Sequence, residues 1–290
     1  MNILRKKNYP LGFLVPGLVV FIVFFILPFF VAIGYSFTNW NFSRADFIGL
    51  ENYKNILTNP DMNIAFKNTF LFTLITSAGK IILGMILALF LNQQFRMTNS
   101  LRTIFYLPAV VNMVAIGIVF TALMHPSRGL FNTALKSLGM GGLAKNWLTD
   151  PGIAIFSICA IEIWKWSGYT MMILLAGMQN ISPDYYEASE IDGAGFWQKF
   201  WKITFPLIMP SFNNALVLNI IGGLKVFDLV VATTGGGPGS TTQVFNTMIY
   251  KSYSYNMQGQ ASAGTVILAV IVLAITLSTY GIIVKKEVEL

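Results

Sequence analysis

Six apolar runs punctuate the chain, at about residues 11–37, 69–91, 103–124, 153–178, 207–233 and 261–284. Each is near the roughly 20 residues that a helix needs to cross the hydrocarbon of a bilayer. In lipid every backbone N–H and C=O must find its partner inside the protein, and a helix achieves that within one segment. The runs therefore imply an all-α integral membrane protein of about six transmembrane helices, organised as a single domain over residues 1–290. Composition agrees: 55% of residues are hydrophobic and 11% charged, where a soluble domain carries about a quarter charged.

The net charge of +7 would suggest a nucleic-acid partner in a soluble protein. Here the basic residues gather mostly at the ends of the runs, where they report topology instead, and no nucleic-acid partner is expected. The lone cysteine, Cys159, sits within an apolar run and excludes an intrachain disulfide. The lone histidine, His125, stands beside Pro126 and reads as structural. No cluster suggests a metal, and no cofactor is expected.

Arg5-Lys6-Lys7 precede the first run as they would in a signal peptide. A signal core has roughly 7 to 15 apolar residues, whereas this run is about twice that and carries Pro16 and Pro28, so it reads as a retained first span. Six spans return the chain to its starting side. With both termini cytoplasmic, Arg5, Lys6, Lys7, Arg96, Arg102, Lys199, Lys202, Lys285 and Lys286 share that side and slightly outnumber Arg44, Lys54, Lys67, Arg128, Lys136, Lys145 and Lys251 opposite.

Between the fourth and fifth runs lies a polar loop, residues 180–205. Ser182 is an N-cap candidate, Pro183 suits the first helical turn, and Asp184 places negative charge at the positive end of the helix dipole. Asp192-Gly193 supplies a stop, because glycine tolerates the left-handed conformation that ends helices. The spacing predicts a helix over 183–191 that presents Glu187 and Glu190, with little bulk at Ala188 and Ser189. Next, Phe196 with Phe200 and Trp197 with Trp201 fall at i, i+4, with Lys199 and Lys202 opposite, the pattern of a helix lying at a membrane surface.

The run Glu187-Ala188-Ser189-Glu190-Ile191-Asp192-Gly193-Ala194-Gly195, continued through its aromatics to Pro206 and Pro210, resembles the cytoplasmic "EAA" coupling loop of ABC-importer permease subunits. It departs at Ser189, where that pattern has alanine. Phe47-Ile48-Gly49-Leu50-Glu51-Asn52-Tyr53 resembles an element that follows the first span in sugar-type permeases. Val226-Phe227-Asp228 with Thr234-Gly235-Gly236-Gly237-Pro238, Thr242 and Tyr250 resembles the "F-D … T-x-G-G-P … T … Y" signature of permeases of the maltose, multiple-sugar and glycerol-phosphate type. The resemblance implies a type I importer fold with a cytoplasmic coupling helix in the bacterial cytoplasmic membrane. It implies as partners a second homologous permease subunit, an ABC ATPase dimer at the cytoplasmic face, an extracytoplasmic sugar-binding protein and a sugar substrate. Glu187, Ala188, Ser189, Asp192 and Gly193 would couple the chain to the ATPase.

Catalysis is not expected of the chain itself. Gly79-Lys80 is followed by Ile81 inside an apolar run, so there is no phosphate-binding loop, and no catalytic triad or carboxylate pair assembles. Charges within spans are costly and mark functional candidates. In the fourth run Glu162, Lys165, Trp166 and Tyr169 share one helical face. In the fifth, Asn219, Gly222, Gly223 and Val226 follow the same spacing. Together they offer polar groups, flat aromatic surface and a bulk-free groove, the requirements of a sugar path. The competing reading has Glu162 and Lys165 neutralising each other while the glycines allow close helix packing. Lys225 and Asp228 are expected to pair, and Lys80 has no evident partner. Two other functions fit some of these features: an ion-gradient-driven transporter, suggested by Glu162, Lys80 and Asp228, and a membrane scaffold that uses the polar loop for docking.

Overall fold

The computed structural model describes residues 11–93 and 96–283. The basic clusters Arg5-Lys6-Lys7 and Lys285-Lys286 lie outside the described residues. Among those described, regular structure is helical apart from one isolated bridge, Thr38 to Phe47. Two compact units can be distinguished among the described residues, 11–58 with 249–267, and 59–248 with 268–283.

In the first unit, helix α1 (Gly12–Ser36) includes a π-helical stretch at Ile22–Ile26, just ahead of Pro28. Every residue from 12 to 31 is exposed, an arrangement that only an apolar surrounding tolerates. The Phe47–Tyr53 element closes the end of this helix. Asn52, at the start of α2 (Glu51–Thr58), donates from Nδ2 to the carbonyls of Ser36 and Thr38, both at 2.8 Å, and the Tyr53 and Ser36 hydroxyls meet at 2.7 Å. A helix end leaves its last carbonyls unpaired, and these side chains supply the missing partners.

The second unit is built around α3 (Pro60–Asn92), α4 (Thr98–Val110), α5 (Met113–Leu123), α6 (Leu130–Ser137) and α7 (Ala154–Gln179). They are followed by α8 (Pro183–Ile191), α9 (Phe196–Leu207), α10 (Met209–Leu224) and α11 (Asp228–Thr233). Helices α12 (Phe245–Ser254) and α13 (Gln258–Ile283) complete the chain. Asn59 caps α3 by accepting from the Asp61 and Met62 amides, so α3 begins well ahead of the apolar run expected at 69–91.

Two expected spans are not straight. The run at 103–124 is divided between α4 and α5, which meet at 94°. Pro108 removes a backbone donor near the end of α4, and Asn112 caps α5 by accepting from the Val114 and Ala115 amides. The run at 207–233 is also divided. α9 and α10 meet at 71° between Pro206 and Pro210, and α10 stops at Leu224, before α11 starts at Asp228.

Among the described residues three helices, α1, α3 and most of α13, are long and apolar enough to cross a membrane, or up to five segments are if each bent pair counts as one. The 26-residue α7 is about 39 Å long at 1.5 Å per residue, sufficient to cross, but more polar. Its position explains that polarity: α7 packs against α3, α4 and α10, and a helix surrounded by protein can carry groups that a lipid-facing one cannot.

Two apolar cores lie along α7. One gathers Ile155, Ile158, Cys159 and Ile161 with Phe72 of α3, Ile116 of α5 and Leu229 and Val230 of α11. The other gathers Met171, Leu174 and Leu175 with Ile81, Ala88 and Leu91 of α3 and Ala215 of α10. Residues 162–170, between these cores, hold Glu162, Lys165, Ser167 and Thr170, all buried.

Candidate functional site

The loop between α7 and α10 is built by its caps. Ser182 Oγ accepts from the Asp184 amide at 3.4 Å, and Pro183 occupies the first turn of α8. At the far end Gly193 has φ +72°, and its amide and that of Ala194 donate to the carbonyls of Glu190 and Ser189 at 3.0 and 2.9 Å. That backbone is strained for any residue with a Cβ and most for a β-branched one.

Glu187 and Ala188 are exposed on α8. Glu190 is exposed as well, but its carboxylate accepts from Lys199 Nζ at 2.7 Å. The Lys199 hydrogen bond and charge hold its carboxyl below the usual carboxylate range. Ser189 faces inward, where its hydroxyl donates to the Tyr186 carbonyl at 2.7 Å, and Tyr186 reaches α9 through a 3.0 Å bond between its hydroxyl and that of Thr204. A hydroxyl at 189 is thus satisfied locally. Glu187 and Glu190 both line a hollow of about 740 Å3 with Arg96 and Arg102, and of the two carboxylates Glu190 is the one held by Lys199.

In α9 the backbone widens to a π-helix over Phe200–Thr204, and the expected i, i+4 ring pairs shift. Trp197 meets Phe200 at 6.2 Å, and Trp201 meets Phe205 at 5.4 Å. Phe200 turns inward while Trp197 and Trp201 remain exposed.

A cavity of about 310 Å3 opens between α7 and α10. Glu162, Trp166 and Tyr169 line it from α7, and Asn219 and Gly222 from α10, with Val226 just beyond. Trp166 and Tyr169 stand edge to face with centroids 5.8 Å apart. Asn219 Nδ2 donates to the Thr170 hydroxyl at 3.1 Å, which fixes the amide between the two helices.

Two residues expected on this wall are elsewhere. Lys165 is buried and does not pair with Glu162. Its Nζ donates to the carbonyls of Pro108, Ala109 and Val111 at 3.1, 3.0 and 2.6 Å, so it serves the broken end of α4 and lies 4.7 Å over the Trp166 ring. Gly223 faces α3, where an added Cβ would stand 2.8 Å from Thr73 Cα, whereas a Cβ on Gly222 would meet nothing within 4 Å. One glycine is a packing residue and its neighbour a lining residue.

The partner of Glu162 is Lys80 of α3, at 3.5 Å, with both side chains almost fully buried. Lys225 and Asp228 line the cavity but form no ion pair with each other. The break between α10 and α11 separates them. Sequence reasoning missed the lining roles of Lys80, Lys225 and Asp228. The available signal was Lys80 itself, a mid-span cation that requires an anion from another helix.

The glycine-rich signature forms a cap beyond α11. The Thr234 and Thr242 hydroxyls meet at 2.8 Å, and Asn68 of α3 donates to the carbonyls of Thr241 and Gln243 at 2.8 and 2.9 Å. Tyr250, quoted with the signature, is exposed on α12. His125 Nδ1 accepts from the amides of Ser127 and Arg128 at 3.3 Å, a turn-closing role.

Long apolar helices with a cavity that carries charged and aromatic side chains, and a capped helix exposed between the two elements that line it, have the form of a transport permease. The chain belongs to the family described as binding-protein-dependent transport system inner membrane component, which matches residues 80–285. It is 34% identical over 278 residues to the probable ABC transporter permease YurN of Bacillus subtilis (strain 168), across 94% of this chain and 95% of that one. It is also 34% identical over 280 residues to the trehalose/maltose transport system permease MalF of Thermococcus litoralis, across 94% of each. A crystal structure of a bacterial ABC transporter involved in the import of the acidic polysaccharide alginate has a chain of the same fold, with a TM-score of 0.83, 25% identity and 94% of each chain covered. The chain is therefore a multi-pass permease subunit of the ABC class and not itself an enzyme.

Proposed function

We propose that this chain forms the translocation path of an ATP-driven carbohydrate importer in a bacterial cytoplasmic membrane. The observation that carries the proposal is mechanical: the exposed helix α8 lies in the connection between α7 and α10, the two helices whose faces line the cavity. A displacement applied to α8 is delivered to both walls at once. Trp166 and Tyr169 offer rings for the C–H faces of a sugar, and Asn219 and Glu162 offer polar groups for its hydroxyls. Relatives named for trehalose/maltose and multiple-sugar transport support a sugar as cargo.

On this reading an ABC ATPase dimer docks against α8 from the cytoplasm, with Glu187, Ala188 and Gly193 at the contact and Ser189 and Asp192 shaping the helix. A second homologous permease covers part of the exposed apolar surface, and an extracytoplasmic binding protein delivers the sugar. The buried Lys80–Glu162 pair is the feature that an ion-gradient mechanism would use. Uptake of labelled sugars into sealed vesicles, with ATP and an ion gradient supplied separately, tests the proposal. Uptake is expected with ATP alone, and uptake driven by the gradient without ATP would overturn it.

A further inference from the structure

The cavity contains one unmet acceptor and a balanced set of charges. Glu162 is 4% exposed. Its Oε1 faces Lys80 Nζ at 3.5 Å, while Oε2 has no hydrogen-bond partner. A buried acceptor without a donor is unfavourable until something donates to it. Charged groups lining the cavity are Lys80 and Lys225 on one side of the ledger and Glu162 and Asp228 on the other, so the wall has no net charge. Lys165, the further buried cation nearby, is occupied by the three α4 carbonyls and does not line the cavity.

We infer that the cargo is an uncharged carbohydrate that donates a hydroxyl to Glu162 Oε2, an inference that rests on the reading of this cavity as a sugar path. A hydroxyl supplies the one donor that Oε2 lacks and adds no charge. A carboxylate on the cargo would meet Oε2 as a like charge, and it would find Lys80 already paired. The repulsion is strong where protein walls exclude water. Trp166 and Tyr169 accept the C–H face of a neutral or an acidic sugar alike, so discrimination falls to the charged groups. The cavity volume of about 310 Å3 is at the lower end of small-molecule sites, which leaves little space for a hydrated counter-ion.

The test uses the complete importer in proteoliposomes, with its own binding protein and ATPase. The probes are a labelled mixture of neutral di- to tetrasaccharides and the same mixture oxidised at its primary alcohols to uronates. The quantity read is the acidic-to-neutral uptake ratio, compared between variants so that the selectivity of the unchanged binding protein cancels. The parent is expected to favour neutral cargo. Glu162→Gln, which removes the acceptor charge and leaves Lys80 unbalanced, should raise the ratio about tenfold and lower neutral uptake by a similar factor. Asp228→Asn should raise the ratio and Lys225→Gln should lower it, each about threefold, because these groups are more exposed. If Glu162→Gln fails to assemble, this exposed pair decides. A ratio that ignores all of these charges, or that falls in Glu162→Gln, overturns the inference while leaving sugar transport standing. Entry of neither mixture with ATP overturns the sugar-path reading as well.

Discussion

Gly222 and Gly223 are adjacent, and the structure gives them opposite duties. Gly223→Leu would push a branched side chain into the Thr73 backbone, an overpacking that typically costs about 1–3 kcal/mol. Gly222→Leu would extend into the cavity without touching α3. Gly223→Leu is expected to lower the thermal stability and membrane abundance of the subunit, while Gly222→Leu keeps both and loses uptake. Abundance on quantitative blots beside uptake per folded molecule separates the outcomes, and equal stability of the two variants would count against the assignment. Lys165→Met is expected to act like the packing variant. It strands the carbonyls of Pro108, Ala109 and Val111, which are only partly buried, so the total loss is expected to be about 1–3 kcal/mol, the cost of a single fully buried polar group left unpaired. A drop in melting temperature, with faster amide exchange around residues 108–113, is the expected signature. A variant as stable as the parent but poor in uptake would return Lys165 to the sugar path. Helical spacing could place Glu162, Lys165, Trp166 and Tyr169 on one face of α7, because that periodicity is local. Whether a face meets cavity, carbonyls or another helix depends on neighbours far away in sequence, and there the reading of Lys165 and Gly223 ended.

At the scale of elements, α8 was legible in detail because its stop and start signals are chemical. Ser182, Pro183 and Gly193 act on their own backbone. The breaks at Val111-Asn112 and around Ile208 were not, since apolarity continues through them and hydropathy measures depth, not direction. Pro108, Pro206 and Pro210 were visible, but a proline can be accommodated in a membrane helix when neighbours satisfy the freed carbonyls, so their presence alone does not mark a break. The same element carries a functional prediction. Glu187 is exposed and without an internal partner such as Lys199 provides for Glu190. Opposite an arginine on the ATPase it can form a charge-assisted pair, and truncating one member of a desolvated pair costs about 2–5 kcal/mol. Glu187→Ala should therefore weaken co-purification of the ATPase and abolish sugar-stimulated hydrolysis. Gly193→Val should do so through strain at φ +72°. Lys136→Ala in the exposed α6 serves as the reference, and loop variants that match it in both assays would sink the docking role of α8.

For the whole molecule the open question is which way the bundle faces. The helix count alone gives three long apolar helices, two bent pairs and the polar α7. If each bent pair crosses once and α7 crosses between them, the chain makes six passes and its termini share one side. The polar loop then lies on that same side, because two passes, α10 and α13, separate it from the C-terminus. Relative sidedness then follows from the count, and one binary choice is left. Two features bear on it: the N-terminal basic cluster, which favours a cytoplasmic start, and the exposed Trp197 and Trp201 of α9 beside Lys199 and Lys202, a combination suited to a headgroup layer rich in anionic lipid. Both favour the cytoplasmic side for the α8 loop, the side that the proposed docking of an ATPase requires. Single cysteines at Asn55 and Gln198, in a Cys159→Ser background, are expected to differ when intact cells meet a membrane-impermeant thiol reagent. Asn55→Cys should label at once and Gln198→Cys only after the cells are opened. Labelling of Gln198→Cys alone in intact cells would invert the molecule and remove α8 from any cytoplasmic partner. Equal labelling of both would mean that the number of passes between residues 55 and 198 is even, so that one of α3, the α4–α5 pair and α7 fails to cross.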